Sequence, residues 1–321
     1  MRFEVVINSG AGSVDDADDA SEMAAVAEAF EAAGAQVHTQ VVAPEDFQST
    51  ITALWDVADR PEAVVVAGGD GTVGCAAAVA AGTDLVLGVL PLGTFNHFAK
   101  DLGMPTELEA AAAALVDGVV REVDVAEVNG RVFVNNSTLG MYPTMVAIRD
   151  RIRDKRGWGK VRAVPVAAWR AWRSFPLHRL DLTGDGIHRR RVRSPLVFIG
   201  NGVYDNASGG VHERVELTEG RLGVSVARVI SRWGLVRMLV RTWASGSSKA
   251  RELDVSEVSE LTVDSRTESI RVSLDGEIDW LELPLHYRTR PGALHVLAPA
   301  GESPGAEPVD RPVTPDEAVK G

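Results

Sequence analysis

The feature that most restricts this chain is an apolar strand running straight into glycine. Ala63-Val64-Val65-Val66-Ala67 has the pattern of a strand buried on both faces, and Gly68-Gly69-Asp70-Gly71-Thr72 and an alanine-rich helix follow at once. Strand, glycine turn and helix in that order make the layout of a phosphate site. Without Cβ atoms in the turn, backbone amides and a helix N-terminus can point at phosphate oxygens. Asp70 is an anion inside that cradle, so magnesium or a donated hydrogen bond must lie between it and a phosphate. The same run also serves as an ordinary tight turn, and taken alone it leaves both readings open.

A second stretch of the same kind strengthens the phosphate reading. The strand Leu85 to Leu90 stops at Pro91 and Gly93, and a short helix opens at Thr94 with Asn96 and His97 in its first turn. Two such units place two helix N-termini at one carboxyl edge of a parallel sheet, where ligands bind. Upstream, Phe3 to Ile7 reads as a strand ending in the small residues Asn8 to Ser13. The acidic run Asp15 to Asp19 suits a helix start, and that helix runs to Ala33 with Gly34 as its C-cap. The strand Val37 to Val42 and a helix from about Glu45 to Ala58 continue the alternation. The pattern predicts a Rossmann-like, doubly wound parallel sheet. Thr106 and Glu109 have capping-box spacing ahead of an alanine-rich helix that stops at Gly118.

After Gly118 the texture becomes strand and turn. Arg121 to Val128, Asn129-Gly130 and Arg131 to Ser137 spell a β-hairpin. From Leu177 onward come His178 to Thr183, a Gly-Asp-Gly turn, Ile187 to Gly200, and strands near Arg221, Ser259, Ile270, Leu281 and Ala293. Such a meander predicts an antiparallel β-sandwich. The Pro-, Gly- and charge-rich stretch Gly301 to Gly321 reads as a disordered tail. A length of 321 residues accommodates both domains.

The single cysteine, Cys75, rules out an internal disulfide, and as a residue it suits either a reactive thiol or a small apolar packing role. Met1-Arg2 leads directly into a strand, so no signal peptide is expected, and no apolar stretch approaches the ~18 residues of a membrane span. The net charge of -12 disfavours nucleic acid as a partner. That charge is segregated. Arg149 to Arg179 holds ten Lys or Arg against Asp150 and Asp154, with Trp158, Trp169 and Trp172 interleaved. Arg228 to Arg251 holds no acidic residue, and Trp233, Val236, Val240 and Trp243 share one helical stripe. Basic charge with tryptophan suits an anionic membrane surface; the same pattern suits interdomain packing or a homodimer contact.

GGDGT followed by PLGTFNHFAKDLG resembles the catalytic domain of the diacylglycerol kinase family, in its soluble bacterial lipid-kinase branch, with sphingosine kinases as more distant relatives. The resemblance runs from Phe3 to about Leu297. His97 stands where the family's second motif has Asp, Gly74-Cys75 where an Asn-Glu often follows the first, and Ser9 where the family has proline.

The resemblance implies a nucleotide-binding domain over residues 1–128 and a lipid-substrate sandwich over 129–284, with strands near 285–300 returning to the first. The nucleotide would lie in the cleft between them. It implies ATP on Asn8, Ser9, Gly10, Gly12, Ser13, Gly68, Gly69, Asp70, Gly71, Thr72, Gly93, Thr94 and Asn96, with Mg2+ near Asp70. A glycine-containing helix start is expected at Ser137-Thr138-Leu139-Gly140. The Leu274-Asp275-Gly276-Glu277 run matches a family motif whose carboxylates take the proton from the lipid hydroxyl, which makes Asp275 and Glu277 a joint base. On residue types alone the same run is a hairpin turn. Glu219, with the carbonyls of Glu216 and Arg221, falls where the family holds a structural magnesium on Asp, and a solvated turn accounts for it equally well. The histidines have no ligand spacing. The expected activity is an ATP-dependent lipid kinase, cytoplasmic and peripheral at the inner membrane surface. An NAD kinase-like enzyme and a non-catalytic nucleotide-binding module are the alternatives.

Overall fold

In the computed structural model, the described residues are 2–9, 19–55, 60–140, 143, 177–204, 214, 216–228, 231, 233–234 and 253–301. Gly10, Gly12, Ser13, the acidic run as far as Asp18, most of both basic segments, and residues 302–321 lie outside them. The chain divides into two units: Met1–Val123 with Gly292–Gly321, and Asp124–Pro291. The division falls inside two continuous strands, β5 (Val119–Val128) and β16 (Leu285–Ala298).

The first unit alternates strand and helix: β1 (Arg2–Asn8), α1 (Asp19–Ala32), β2 (Gln36–Val42), α2 (Phe47–Trp55), β3 (Ala63–Gly68), α3 (Asp70–Ala80), β4 (Val86–Pro91), α4 (His97–Asp101) and α5 (Leu108–Val116). The strands lie in the order β2-β1-β3-β4, all parallel, and every residue of β3 is buried. From β1 the chain steps outward to β2, then crosses back to β3 and β4 on the other side. Right-handed crossovers therefore put α1 on one face and α2 and α3 on the other, and the loops after β1 and β3 part at the switch point. The pairing of α1 with α5 and of α2 with α3 agrees with that arrangement. The end of β16 joins this sheet parallel to β4, His295 opposite Val86.

Two local expectations are corrected. α5 has Glu107, not Thr106, as its N-cap, with no side-chain cap bond. Glu109 then falls one position too early to close a capping box. The helix expected from Thr94 begins only at His97, because Asn96 adopts a left-handed conformation (φ 51) that breaks the turn.

The second unit packs two antiparallel layers. β7 (Asn136–Gly140), β10 (Leu196–Asn201), β11 (Leu222–Ala227), β12 (Leu253–Val258), β14 (Ser269–Leu274) and β15 (Glu277–Glu282) form one sheet in the order β12-β11-β10-β7-β14-β15. In the other, β13 (Glu260–Asp264) lies between the start of β16 and β8 (His178–Gly184), with β9 (Ile187–Ser194) beyond, and β5 pairs with β6 (Arg131–Phe133). Leu139, Ile199, Val224 and Val272 of the first layer share a core with Leu180, Val263, Leu285 and Tyr287 of the second. This is the expected sandwich. The run expected to start a helix, Ser137 to Gly140, is instead part of the central strand β7, paired with β10 on one side and β14 on the other. The strand expected from Ile187 to Gly200 is split at Pro195, which has no N–H for a ladder.

Candidate functional site

The carboxyl ends of β1, β3 and β4 carry three loops that are built against one another. α3 has Gly69 as its N-cap, with extended backbone and no side-chain cap bond, so backbone rather than a side chain forms this helix start. A Cβ on Gly93 would come 2.4 Å from the Cα of Gly69 and 2.6 Å from Asn96 Oδ1. A Cβ on Gly68 would meet Thr72 Oγ1 at 2.5 Å. Glycine is required at 93 by contact between two loops and at 68 by the first turn of the helix that follows it. Asn8 Nδ2 donates to Thr72 Oγ1 at 2.8 Å, tying the end of β1 to the first turn of α3 across the switch point. Ser9 and Thr94 are exposed.

Asn96 is buried and works inward. Its Oδ1 accepts the Gly93 N–H at 3.0 Å, and its Nδ2 donates to the carbonyls of Pro91 (3.0 Å) and Gly93 (2.8 Å). It shapes the 91–96 loop with the group that could otherwise face a ligand. Asp70 Oδ1 accepts the backbone N–H of His97 at 2.8 Å. The change from Asp to His at 97 leaves that bond untouched, since only the main chain makes it. The His97 ring stacks on exposed Phe95, centroids 5.8 Å apart. Cys75 is half-buried within α3.

A backbone cradle with one carboxylate fits a phosphate–magnesium group. The amides suit the anion, and a carboxylate has about four lone-pair sites, so accepting the His97 N–H leaves Asp70 capacity for a hard cation.

In the second unit, Asp275 and Gly276 have φ 47 and 93 and join Leu274 to Glu277 in a two-residue turn of the type I′ kind. The Asp275 carboxylate is not turned to solvent. Its Oδ2 accepts the Val134 N–H and its Oδ1 the N–H groups of Asn135 and Asn136, at 2.8 to 2.9 Å. These bonds explain why the strand predicted from Arg131 to Ser137 breaks after Phe133. The opposite edge of the same peptides is also held. Arg214 Nη2 and Asn201 Nδ2 donate to the Val134 carbonyl, and Tyr204 Oη donates to that of Asn135. Burial pushes the Asp275 carboxyl up to about 6, against the pull of the three amides and of Arg214. Glu277 is exposed at the start of β15.

Glu219 is largely exposed, and partial desolvation together with the negative charge of Glu216, Glu257 and Asp124 raises its carboxyl above the ordinary range. Asp124 is buried and accepts the Gly220 N–H at 2.6 Å, and the Arg221 carbonyl accepts the Gly202 N–H at 2.9 Å. Among the described residues no three His, Cys, Asp or Glu side chains gather to hold a metal. Sequence reasoning missed Asp124, Tyr204 and Arg214; it reached Asn201-Gly202 only as the start of the stretch that resembles the family's structural-magnesium segment, whereas Asn201 Nδ2 donates to the carbonyls of Asp124 and Val134.

Comparison with known proteins agrees with this geometry. Residues 2–128 match the family described as diacylglycerol kinase catalytic domain, and residues 146–298 the one described as YegS C-terminal NAD kinase beta sandwich-like domain. A diacylglycerol kinase of Mycobacterium tuberculosis (strain H37Rv) is 31% identical over 76% of this chain and 79% of its own length. A protein of Pseudomonas aeruginosa named as a YegS-like lipid kinase is 33% identical over 76% and 79%. A crystal structure from Bacillus anthracis superposes with a TM-score of 0.70 at 20% identity, covering 93% of this chain and 97% of that one. A second from the same organism, described as a diacylglycerol kinase, gives 0.65 at 18% over the same shares. The two structures support the fold, and the sequence matches carry the assignment: this chain belongs to the diacylglycerol kinase family of lipid kinases.

Proposed function

We propose that the chain transfers the γ-phosphoryl group of ATP to the hydroxyl of a lipid, diacylglycerol or a related lipid alcohol, as a cytoplasmic enzyme visiting the inner membrane surface. The uncapped start of α3 against the glycine of the 91–96 loop is the observation that supports it most. Gly68 to Thr72, with Asn8 and Gly93-Thr94, would hold the phosphates, and Asp70 would hold Mg2+ with them. Bound there, Mg2+ supplies neutralisation of the charge that develops as the phosphoryl group moves. The His97 amide keeps Asp70 oriented. A lipid hydroxyl is a poor nucleophile at neutral pH, and Asp275 with Glu277 supplies the proton acceptor. Asp275 is held by three amides while Glu277 is presented on the surface, so the pair divides into a fixed and an adaptable carboxylate.

One observation favours a second acceptor: the model matched by residues 146–298 is described as NAD kinase-like. Incubation of the protein with γ-labelled ATP and extracted membrane lipids, and separately with NAD, tests the choice. Label in the lipid phase is expected. Label on NAD would replace the lipid reading, and ATP bound without transfer to either would mark a non-catalytic module.

A further inference from the structure

We propose that the outer face of β8 and β9 is an electrostatic docking surface for an anionic lipid bilayer; the choice of partner rests on the lipid-kinase reading. Side chains on these strands alternate. Leu180, Leu182, Val192 and Ser194 are buried, while Arg179, Arg189, Arg191 and Arg193 are exposed. The register sets Arg179 directly opposite Arg193 and Asp181 opposite Arg191. Like charges directly opposite each other destabilise an antiparallel pair. The nearby carboxylate does not relieve them: Asp181 Oδ2 is taken by Arg189 Nη2 at 2.8 Å and its Oδ1 by Arg191 Nε at 3.0 Å. Among the described residues no carboxylate pairs with Arg179, Arg193 or Arg266. The hollow between these side chains is lined by five arginines against Asp181 and Asp264, on a chain whose net charge is -12.

Charge complementarity sets the class of partner. It must be anionic, and it must be extended, because the arginines are exposed and spread along a sheet face rather than buried around one point. Among the described residues of β8 and β9 no large apolar side chain is exposed, so the contact proposed for this face is with headgroup phosphates, which the planar guanidinium fork fits. The chain carries a net charge of -12, so attraction depends on local basic surface, and salt screens it beyond about one Debye length, ~10 Å at 0.1 M. Docking is therefore oriented and lost in high salt.

The test is cosedimentation of the full chain with phosphatidylcholine vesicles, with and without added phosphatidylglycerol. Each arginine near an anionic surface contributes about fivefold, so the triple variant R179Q/R193Q/R266Q should lose about a hundredfold in partition to the anionic vesicles. Arg60→Gln, on the first unit, serves as the control and should bind as the parent does, and unchanged thermal unfolding would show that the triple variant is folded. Failure of the parent to bind anionic vesicles, or equal binding by parent and triple variant, overturns the proposal. So does tighter binding to a DNA duplex that falls in parallel, which would make nucleic acid the partner. Transfer from ATP to short-chain diacylglycerol in neutral detergent micelles separates the two readings. The triple variant should retain it. If the parent shows no transfer while its arginine-dependent vesicle binding persists, the kinase reading fails and the docking surface stands.

Discussion

Asp275 shows how one side chain can be read two ways and satisfy both. As the first residue of an Asp-Gly turn it closes the β14–β15 hairpin, and its carboxylate also gathers the amides of residues 134 to 136. Its raised value of about 6 has a definite sign. The folded chain holds that proton more tightly than the unfolded one, so this group's stabilising contribution is present below the ordinary carboxylate range and lost as pH rises through about 6. For catalysis the direction is opposite, since a base must be ionised. Turnover should therefore fall as pH drops through about 6, and Asp275→Asn should lower turnover by about 10²–10⁴-fold while ATP affinity barely changes. A pH–rate profile with no step near 6 would move the role of base to Glu277. Gly93 makes a second prediction at this scale. Its added Cβ would meet the backbone of Gly69, which cannot swing aside as a flexible side chain can. Gly93→Ala should cost about 1–3 kcal/mol in unfolding and weaken ATP binding with it, measured by denaturant melts and calorimetry.

At the scale of elements, the phosphate unit was legible because its determinants are local: an apolar run, glycines without Cβ, and a helix directly behind. The sandwich was legible as a class for the same reason, through alternation and Asn-Gly and Asp-Gly turns. What was not legible depends on partners distant in sequence. Nothing near Ser137 to Gly140 announces a central strand; β10 and β14 impose it. Nothing near Val134 shows that Asp275, some 140 residues away, draws its amide out of the ladder. The role of Asn96 was read as ligand contact, whereas its three hydrogen bonds go into its own loop. Asn96→Ala should remove them and place alanine in a left-handed conformation, with a loss of about 2–3 kcal/mol in unfolding free energy. Asp185 provides the pH test for this scale. Partial burial alone would raise it, but the N–H groups of Ser259 and Glu260 and the Ser259 hydroxyl hold it down at about 2. Its contribution is present above the ordinary carboxylate value and lost as pH falls toward about 2. The melting temperature should fall over that window, and Asp185→Asn should flatten the fall.

Over the whole molecule, the proposed reaction draws on each unit separately: on the first for a cradle of backbone at the GGDGT loop, and on the second for Asp275, whose carboxylate is held by the amides of residues 134 to 136. No helix among the described residues is long and apolar enough to cross a membrane. The chain's excess of acid, a net charge of -12, makes contact with an anionic membrane depend on local basic patches. Phosphoryl transfer from ATP to lipid is proposed to run through the GGDGT loop, and Asp70 is where that can be tested with least disturbance. Asparagine keeps the shape and can still accept the His97 N–H, but it holds a divalent cation poorly. The measurement is transfer from γ-labelled ATP to extracted lipid by parent and Asp70→Asn proteins that melt alike. The expected result is labelled lipid from the parent and at least about a hundredfold less from the variant. Equal labelling by the two folded proteins would contradict it.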